Sequence, residues 1–519
     1  MATRDDAQPA QPGGPYAWYV LSVLVLVYVL NFIDRQIVSI LANDIKRDLG
    51  LTDADLGFLY GTAFGVFYSL FGIPLGRLAD NWNRVRLLTL GLGLWSAMTA
   101  VSGFARSGAM LAGARIGVGI GEATASPSAY SLLSDWFPKK RRATALAIYS
   151  SGLYLGGGLS LLIGAQIVER WNAAYPGGGP LGLVGWQAAF LAVGVPGLIA
   201  ALWVATLREP LRGQADGIVT PPNPRPFRDF GEELVSVVPP LTLIGAWRRG
   251  GRALALNLAV AVAIALAAWG ATRATGTAPQ WIAIGIGSYA VFSWASGLRQ
   301  RDPPTFRLIW GTPAFVCTTL GYGLVAFQSY AVSFWAAPFA ELSFGISKSE
   351  AGFWVGGPGA LAGFLGVIAG GRLADWARTR HPAGRIAVVA LGPLAAIPFF
   401  VAAYTTADVS LFFALNFVVM LFSSAALGGT AATTQDLVLP RMRGTATATF
   451  FLATTLVGLS LGPYMAGYMS TLTGDRAIGI LSVLAVAPLS LILLAIGFRT
   501  LPRAEATLVE RARAAGEPI

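Results

Sequence analysis

Apolar segments of about 20 residues recur along nearly the whole chain, separated by short polar stretches. Each is long enough to cross a bilayer as a helix, which needs about 20 apolar residues. The pattern predicts an all-α polytopic membrane protein with two groups of six spans. They lie at about 17–42, 56–78, 85–105, 109–133, 143–168 and 186–206, and then at about 309–338, 351–372, 385–404, 409–433, 444–470 and 477–498.

A polar, proline-containing stretch at about 207–252 separates the two groups. Proline cannot continue a helix, so we expect a cytoplasmic linker here, with at most short surface helices. Two more apolar segments follow within 253–298, joined by a turn with Gly276 and Pro279, and they predict an extra transmembrane hairpin. The other predicted divisions are an N-terminal tail (1–16), two six-helix bundles (17–206 and 309–500) and a C-terminal tail (501–519).

The charged residues support this topology. Only 12% of the 519 residues are charged, against about 25% in soluble proteins. With the N-terminus inside, 28 of the 37 Lys and Arg residues fall on inner segments and 7 on outer ones. This asymmetry follows the positive-inside rule, which also accounts for the net charge of +11 without a nucleic-acid surface. We therefore expect a multi-pass protein of a bacterial inner membrane with both termini cytoplasmic.

An internal repeat relates the two groups of spans. The sequence Gly-Arg-Leu-Ala-Asp at 76–80 recurs at 371–375, each time after the second span of its group. Gly-Leu-Ser-Leu at 158–161 recurs in the same order at 458–461. Parallel halves around a site near the middle of the membrane are a transporter architecture.

Four ionisable residues lie deep within predicted spans: Asp34, Arg35, Arg115 and Glu122. A charge at that depth costs at least about 2.5 kcal/mol, so it normally faces a cavity or a partner. Arg115 and Glu122 are seven residues apart and share one helical face, so we expect Arg115 to be the guanidinium that tunes the proton affinity of Glu122. A structural ion-pair cluster is the alternative, but buried pairs are weak stabilisers, which favours a functional role. Glu122 is the preferred proton carrier and Asp34 the next candidate, whereas the arginines keep their charge and would bind anions.

Two further groups of residues are candidates. Asp80 and Asp375 sit at the cytoplasmic ends of spans, where a carboxylate favours a facing helix N-terminus and nearby arginines, and this predicts conformational gating. The arginines expected to take part are Arg84, Arg141 and Arg443. Other polar side chains of the spans could line a substrate cavity, although packing is about as plausible for each: Tyr60, Tyr322 and Gln328.

At residues 76–86 the chain resembles the major facilitator superfamily, whose loop motif it matches except at Asn81 and Asn83. Within that superfamily, the first half is similar to the spinster family of lipid-type transporters at 31–35, 115–123 and 136–138. Organic-anion symporters share the last two of these features. The spinster resemblance implies proton coupling and headgroup binding by an acidic and basic set, which here corresponds to Asp34, Arg35, Arg115 and Glu122.

These observations favour a proton-coupled secondary transporter of an amphipathic, anionic, lipid-like molecule of the lysophospholipid or sphingoid-phosphate type. The alternative is a proton-coupled symporter of a small organic anion such as a sugar acid. A channel is disfavoured by the repeat, and an enzyme by the lack of a histidine base or a nucleophile constellation. The expected partners are substrate, protons and membrane lipids, with no cofactor, metal or nucleic acid, for a monomeric protein.

The hairpin model makes a topological prediction. A cysteine introduced into the 274–280 turn should react with a membrane-impermeant maleimide added from the outer face, because the turn joins two outward-reaching spans. Labelling from the cytoplasmic side would rule out the hairpin.

Overall fold

The computed structural model describes residues 12–216 and 223–518, and helices make up most of that part of the chain. Within these described residues, thirteen helices are long and apolar enough to cross a membrane, and two shorter ones fill the fourth predicted span. The N-terminal half contains α1 (Pro15–Leu49), α2 (Asp53–Asn81), α3 (Arg84–Ser102), α4 (Gly108–Glu122), α5 (Ala125–Trp136), α6 (Lys139–Ala174) and α7 (Gly185–Val204).

The remaining helices form an insert and a second half. The insert contains α8 (Pro226–Val237), α9 (Leu241–Arg248), α10 (Gly251–Thr275), α11 (Ala278–Arg301) and α12 (Pro303–Ile309). The C-terminal half contains α13 (Pro313–Phe344), α14 (Lys348–Arg380), α15 (Gly384–Thr405), α16 (Val409–Asp436), α17 (Pro440–Thr473), α18 (Arg476–Ala506) and α19 (Leu508–Ala514). The predicted two halves with an added hairpin are confirmed. Most of the predicted N-terminal tail and part of the linker lie outside the described residues.

The first helix runs beyond the apolar segment that predicted it. α1 continues past residue 42 through a polar stretch and ends before Gly50, whose φ of 64° is a left-handed conformation that glycine adopts without strain. Hydropathy placed Lys46 and Arg47 in a loop, whereas both lie in the last turn of the helix.

The fourth predicted span, 109–133, is interrupted in the middle of the bundle. α4 ends at Glu122 and α5 begins at Ala125. Pro127 has no N–H to donate, and its ring crowds the carbonyl group of Ala123, so a continuous helix is disfavoured here. The interruption places the carboxylate of Glu122 at a helix end. In the C-terminal half, α16 is interrupted at the matching position, Ala425.

Glycines allow the two halves to pack backbone against backbone. A Cβ on Gly61 of α2 would collide with the carbonyl oxygen of Leu459 in α17, and one on Gly158 of α6 would lie 2.8 Å from the carbonyl oxygen of Gly356 in α14. Small residues at such positions permit close approach of helices within a membrane. The halves thus meet along an α2–α17 seam and an α6–α14 seam.

Two buried ion pairs join the halves at the end of the bundle where α1 ends and α2 begins, which we call the distal end. Arg476 Nη2 lies 3.0 Å from Asp53 Oδ1, and Lys348 Nζ lies 3.1 Å from Asp44 Oδ2. The four side chains are at most 10% exposed. Each pair takes one residue from each half, so these four residues form a distal lock between the halves.

At the opposite end, which we call the basic end because the loops rich in Lys and Arg lie there, two buried or partly buried arginines form ion pairs. Each arginine pairs with a carboxylate of its own half. Arg84 is fully buried and pairs with Asp135, and Arg385 Nη1 lies 2.6 Å from Asp436 Oδ2. Arg84 begins α3, and Arg385 lies in the first turn of α15, which is the matching helix of the other half. These pairs stabilise each half without tying it to the other.

The distal lock can be tested by its effect on stability. Arg476→Ala should lower the unfolding free energy by about 3 kcal/mol, because it leaves the buried Asp53 with less compensation. Arg47→Ala is the matched control: its side chain is 67% exposed, and its ion pairs should contribute less than about 1 kcal/mol. Thermal unfolding in detergent measures both, and equal melting temperatures for the two variants would contradict a buried lock.

Candidate functional site

The four deep charges predicted from the sequence lie together in the N-terminal half. Asp34 and Arg35 come from α1, and Arg115 and Glu122 from α4, and none is more than 9% exposed. Arg35 Nη2 donates to Glu122 Oε2 at 2.7 Å, and Arg35 Nε approaches the same oxygen at 3.3 Å. A buried ion pair between α1 and α4 is therefore the centre of the candidate site.

Aromatic rings surround the guanidinium of this pair. The guanidinium carbon of Arg35 lies 4.8 Å from the ring centre of Phe32, 4.6 Å from that of Phe64 and 5.1 Å from that of Tyr68. Such contacts attract a cation to the ring faces and exclude water around it.

Arg115 is fully buried but only partly satisfied. Its Nη1 donates to the backbone carbonyl of Asp34 at 3.2 Å, while its Nε and Nη2 have no hydrogen-bond partner. Asp34 Oδ1 and Glu122 Oε1 are likewise buried and unpartnered. Buried polar groups normally have partners, so this set of donors and acceptors can bind a polar or charged group.

The pairing differs from the sequence expectation. Arg115 and Glu122 share a helical face, which suggested that Arg115 would be the basic neighbour of Glu122. Among the described residues, the ion-pair partner of Glu122 is Arg35, on the neighbouring helix. Spacing within one helix does not specify which side chain of a crossing helix comes closer.

Tyr60 connects the N-terminal half to the C-terminal half. Its hydroxyl donates to Gln36 Oε1 at 2.8 Å, and its ring stacks on Phe334 at 4.4 Å between centroids. Gln36 Nε2 in turn donates to the carbonyl oxygen of Ser333 at 2.8 Å. Tyr60 is 1% exposed, so its hydroxyl is engaged in this interface.

Tyr322 and Gln328 lie elsewhere, in the C-terminal half. The Tyr322 ring stacks on Phe450 at 5.2 Å. Gln328 lines a shallow groove between α13, α15 and α18, together with Pro393 and Ser490. Their contacts do not bring either side chain to the Arg35–Glu122 pair.

Two of the five predicted gating residues, Arg84 and Asp375, form ion pairs, and the other three do not among the described residues. Arg84 donates to Glu209 Oε1 at 2.7 Å as well as pairing with Asp135. Arg385 Nη2 donates to Asp375 Oδ1 at 2.8 Å. Asp80, Arg141 and Arg443 are exposed and form no ion pair within 4 Å among the described residues.

Sequence reasoning missed four partners at the basic end: Asp135, Glu209, Arg385 and Asp436. A signal was present for two of them, because Asp135 and Asp436 occupy corresponding places before the fifth span of each group.

Comparisons with known proteins agree on the fold. A model of the Major Facilitator Superfamily matches residues 24–341 and 318–519. A crystal structure of a bacterial homolog to human lysosomal transporter spinster, inward-facing and unoccupied, is 28% identical, covers 97% of both chains and has a TM-score of 0.67. An MFS-type efflux pump of Mycolicibacterium smegmatis is 28% identical over 495 residues, 94% of this chain and 93% of that protein.

A shorter match covers less than half of each chain. The Bacillus subtilis protein named "Probable galactarate/D-glucarate transporter GudP" is 28% identical over 209 residues, 39% of this chain and 43% of that protein. The family model nevertheless covers most of the chain, and the spinster homolog matches it over nearly its full length. The chain therefore belongs to the Major Facilitator Superfamily, a family of membrane transporters rather than enzymes, and it resembles the spinster proteins within it.

Proposed function

We propose that the protein is a proton-coupled secondary transporter that moves an amphipathic, anionic, lipid-like substrate by alternating access. The observation that carries this proposal is the buried Arg35–Glu122 pair beside Arg115, whose guanidinium has two unpartnered nitrogen atoms. Two arginines that stay charged offer an anion site, and a carboxylate offers a site for a proton.

Proton and substrate transport would be coupled because the Glu122 carboxylate and the anionic group of the substrate compete for the guanidinium of Arg35. While Glu122 is ionised, its carboxylate occupies Arg35 at 2.7 Å. Protonation of Glu122 removes that negative partner and leaves Arg35 and Arg115 free to bind the anionic group of a substrate. Asp34, whose carboxylate is also buried, is a second proton site in this proposal. Proton and substrate would then bind together and leave together.

Alternating access would use the two ends of the bundle differently. The distal lock ties the halves in this conformation, and its opening would expose the Arg35 cluster on that side. At the basic end we assign gating to Asp80, Arg84 and Arg141 in one half and to Asp375 and Arg443 in the other. The orientation predicted from the loop charges makes the basic end cytoplasmic, in a bacterial inner membrane, for a protein that works as a monomer.

Two observations favour a lipid-like substrate over a sugar acid. Phe32, Phe64 and Tyr68 enclose Arg35 in apolar surface, which suits an amphipathic molecule more than a polyhydroxylated one. The resemblance to the spinster homolog also extends over 97% of the chain. The small organic anion remains the second candidate because of the match to the galactarate/D-glucarate transporter.

Ligand-induced thermal stabilisation separates these candidates. Purified protein would be heated with an anionic lysophospholipid, a sphingoid phosphate, glucarate or galactarate. Stabilisation by the lipids alone supports the proposal, and stabilisation by the sugar acids alone supports the alternative.

Glu122→Gln should abolish accumulation driven by a pH gradient while retaining exchange. One proton per substrate and one pH unit of gradient support about tenfold accumulation, and a side chain that cannot take up a proton should reduce it to about onefold. Uptake of lysophospholipid into proteoliposomes, with and without an imposed gradient, is the measurement. Glu510→Gln, at an exposed position of α19, is the control. A wild-type response of Glu122→Gln would transfer the coupling role to Asp34.

Arg115→Ala should weaken binding of the stabilising ligand. A hydrogen bond to a charged group contributes about 1.5–3 kcal/mol, so affinity should fall by roughly 10- to 150-fold. Arg115→Lys should be intermediate because it keeps the charge without the planar fork. Arg77→Ala, exposed at the basic end, is the control, and affinities come from titrated thermal shifts. Unchanged affinity in Arg115→Ala would identify Arg115 as structural.

A further inference from the structure

The inserted hairpin, α10 and α11, lies over the seam where α2 meets α17. Gly287 of α11 marks the position: a Cβ on it would lie 3.3 Å from Val66 of α2 and 2.9 Å from Leu456 of α17. Most of α10 packs on the outside of α11 and is largely exposed. The hairpin therefore covers this seam and contacts both halves.

Polar contacts attach the distal end of the hairpin to the C-terminal half. Thr277, in the turn, forms a hydroxyl–hydroxyl hydrogen bond with Tyr464 of α17. Gln280 Nε2 donates to the carbonyl oxygen of Ser460 at 3.5 Å. The Trp281 ring packs edge-on against Tyr464 at 5.9 Å between centroids. The partners in all three contacts belong to α17.

The basic end of the hairpin is held to the same half. Asp302, directly after α11, pairs with Arg441 at 2.7 Å, and Arg441 also pairs with Glu517 near the end of the chain. Arg307 of α12 donates to the carbonyl oxygen of Ala514 in α19 at 3.1 Å. Both ends of the hairpin are thus anchored to the C-terminal half.

Toward the N-terminal half, the hairpin presents an apolar surface. Val66 and Leu70 of α2 belong to one buried cluster with Ala283, Ala290 and Trp294 of α11. Apolar contact is non-directional, so such surfaces can slide without the loss of specific hydrogen bonds.

The neighbouring helix α8 is attached to the N-terminal half instead. Asn223, just before it, donates to Asn81 Oδ1 at 2.9 Å, and the Phe227 ring lies 5.1 Å from Trp82. An ion pair at 3.0 Å connects Glu233 of α8 to Arg301 of α11, whose side chain is 47% exposed. A pair so exposed contributes little stability and can break readily.

We propose that the hairpin is a fixed part of the C-terminal half and slides over α2 when the halves move, so that it seals the α2–α17 seam against lipid in both conformations. In this proposal the Glu233–Arg301 ion pair breaks during the motion, because α8 stays with the N-terminal half while α11 moves with the C-terminal half. This inference rests on the proposed alternating access, since it concerns motion between the halves.

Pulsed electron paramagnetic resonance between pairs of spin labels tests the inference without a substrate. In a Cys317→Ser background, labels at Ala274, Arg106 and Ala407 report on the hairpin, the N-terminal half and the C-terminal half, all at exposed distal positions. Residues 106 and 407 lie in corresponding loops, so each is the matched control of the other. The distal lock would be opened by Lys348→Ala with Arg476→Ala, or by Arg476→Ala alone if the double variant does not fold.

We expect the 106–407 and 106–274 distances to increase in the opened variant while the 274–407 distance stays unchanged. An unchanged 106–274 distance with a changed 274–407 distance would assign the hairpin to the N-terminal half and overturn the inference, leaving alternating access intact. Three unchanged distances would contradict the motion itself, and with it both proposals.

Discussion

A charge inside an apolar helix bundle must be compensated, and this constraint organises the N-terminal half. The Arg35 guanidinium is held between aromatic rings, and Glu122 on the neighbouring helix supplies the opposite charge. The interruption between α4 and α5 places that carboxylate at a helix end rather than on a continuous helical face. Removing either partner would leave an uncompensated buried charge, which is far more costly than the pair itself.

Compensation takes a different form at the two ends of the bundle. At the distal end, Asp53 and Arg476 belong to different halves, so their attraction opposes separation of the halves. At the basic end, Arg84 and Asp135 belong to one half, so their attraction keeps that half rigid. A buried ion pair therefore holds the two halves together at one end and stabilises a single half at the other. Which of the two it does depends only on which helices supply the partners.

Most of the fold could be predicted from the sequence, because span length and the repeat at 76–80 and 371–375 are local patterns with a direct physical cause. The identity of the four deep charges followed in the same way, from the cost of burying Arg115 or Glu122. The Arg35–Glu122 pairing did not follow, because helix crossing geometry decides it. The distal lock was also missed, since Lys348 and Arg476 lie near helix ends, where hydropathy cannot distinguish a buried tie from a solvated loop charge.

The four deep residues also fix an electrical property of the site. With both carboxylates ionised, Asp34 and Glu122 balance Arg35 and Arg115, and the cluster has no net charge. One added proton makes it positive by one elementary charge, and one bound monovalent anion restores neutrality. A cycle that carries the two together moves no charge through the cluster, so the membrane voltage, which acts with about 2.3 kcal/mol per charge at 100 mV, would do no work on it.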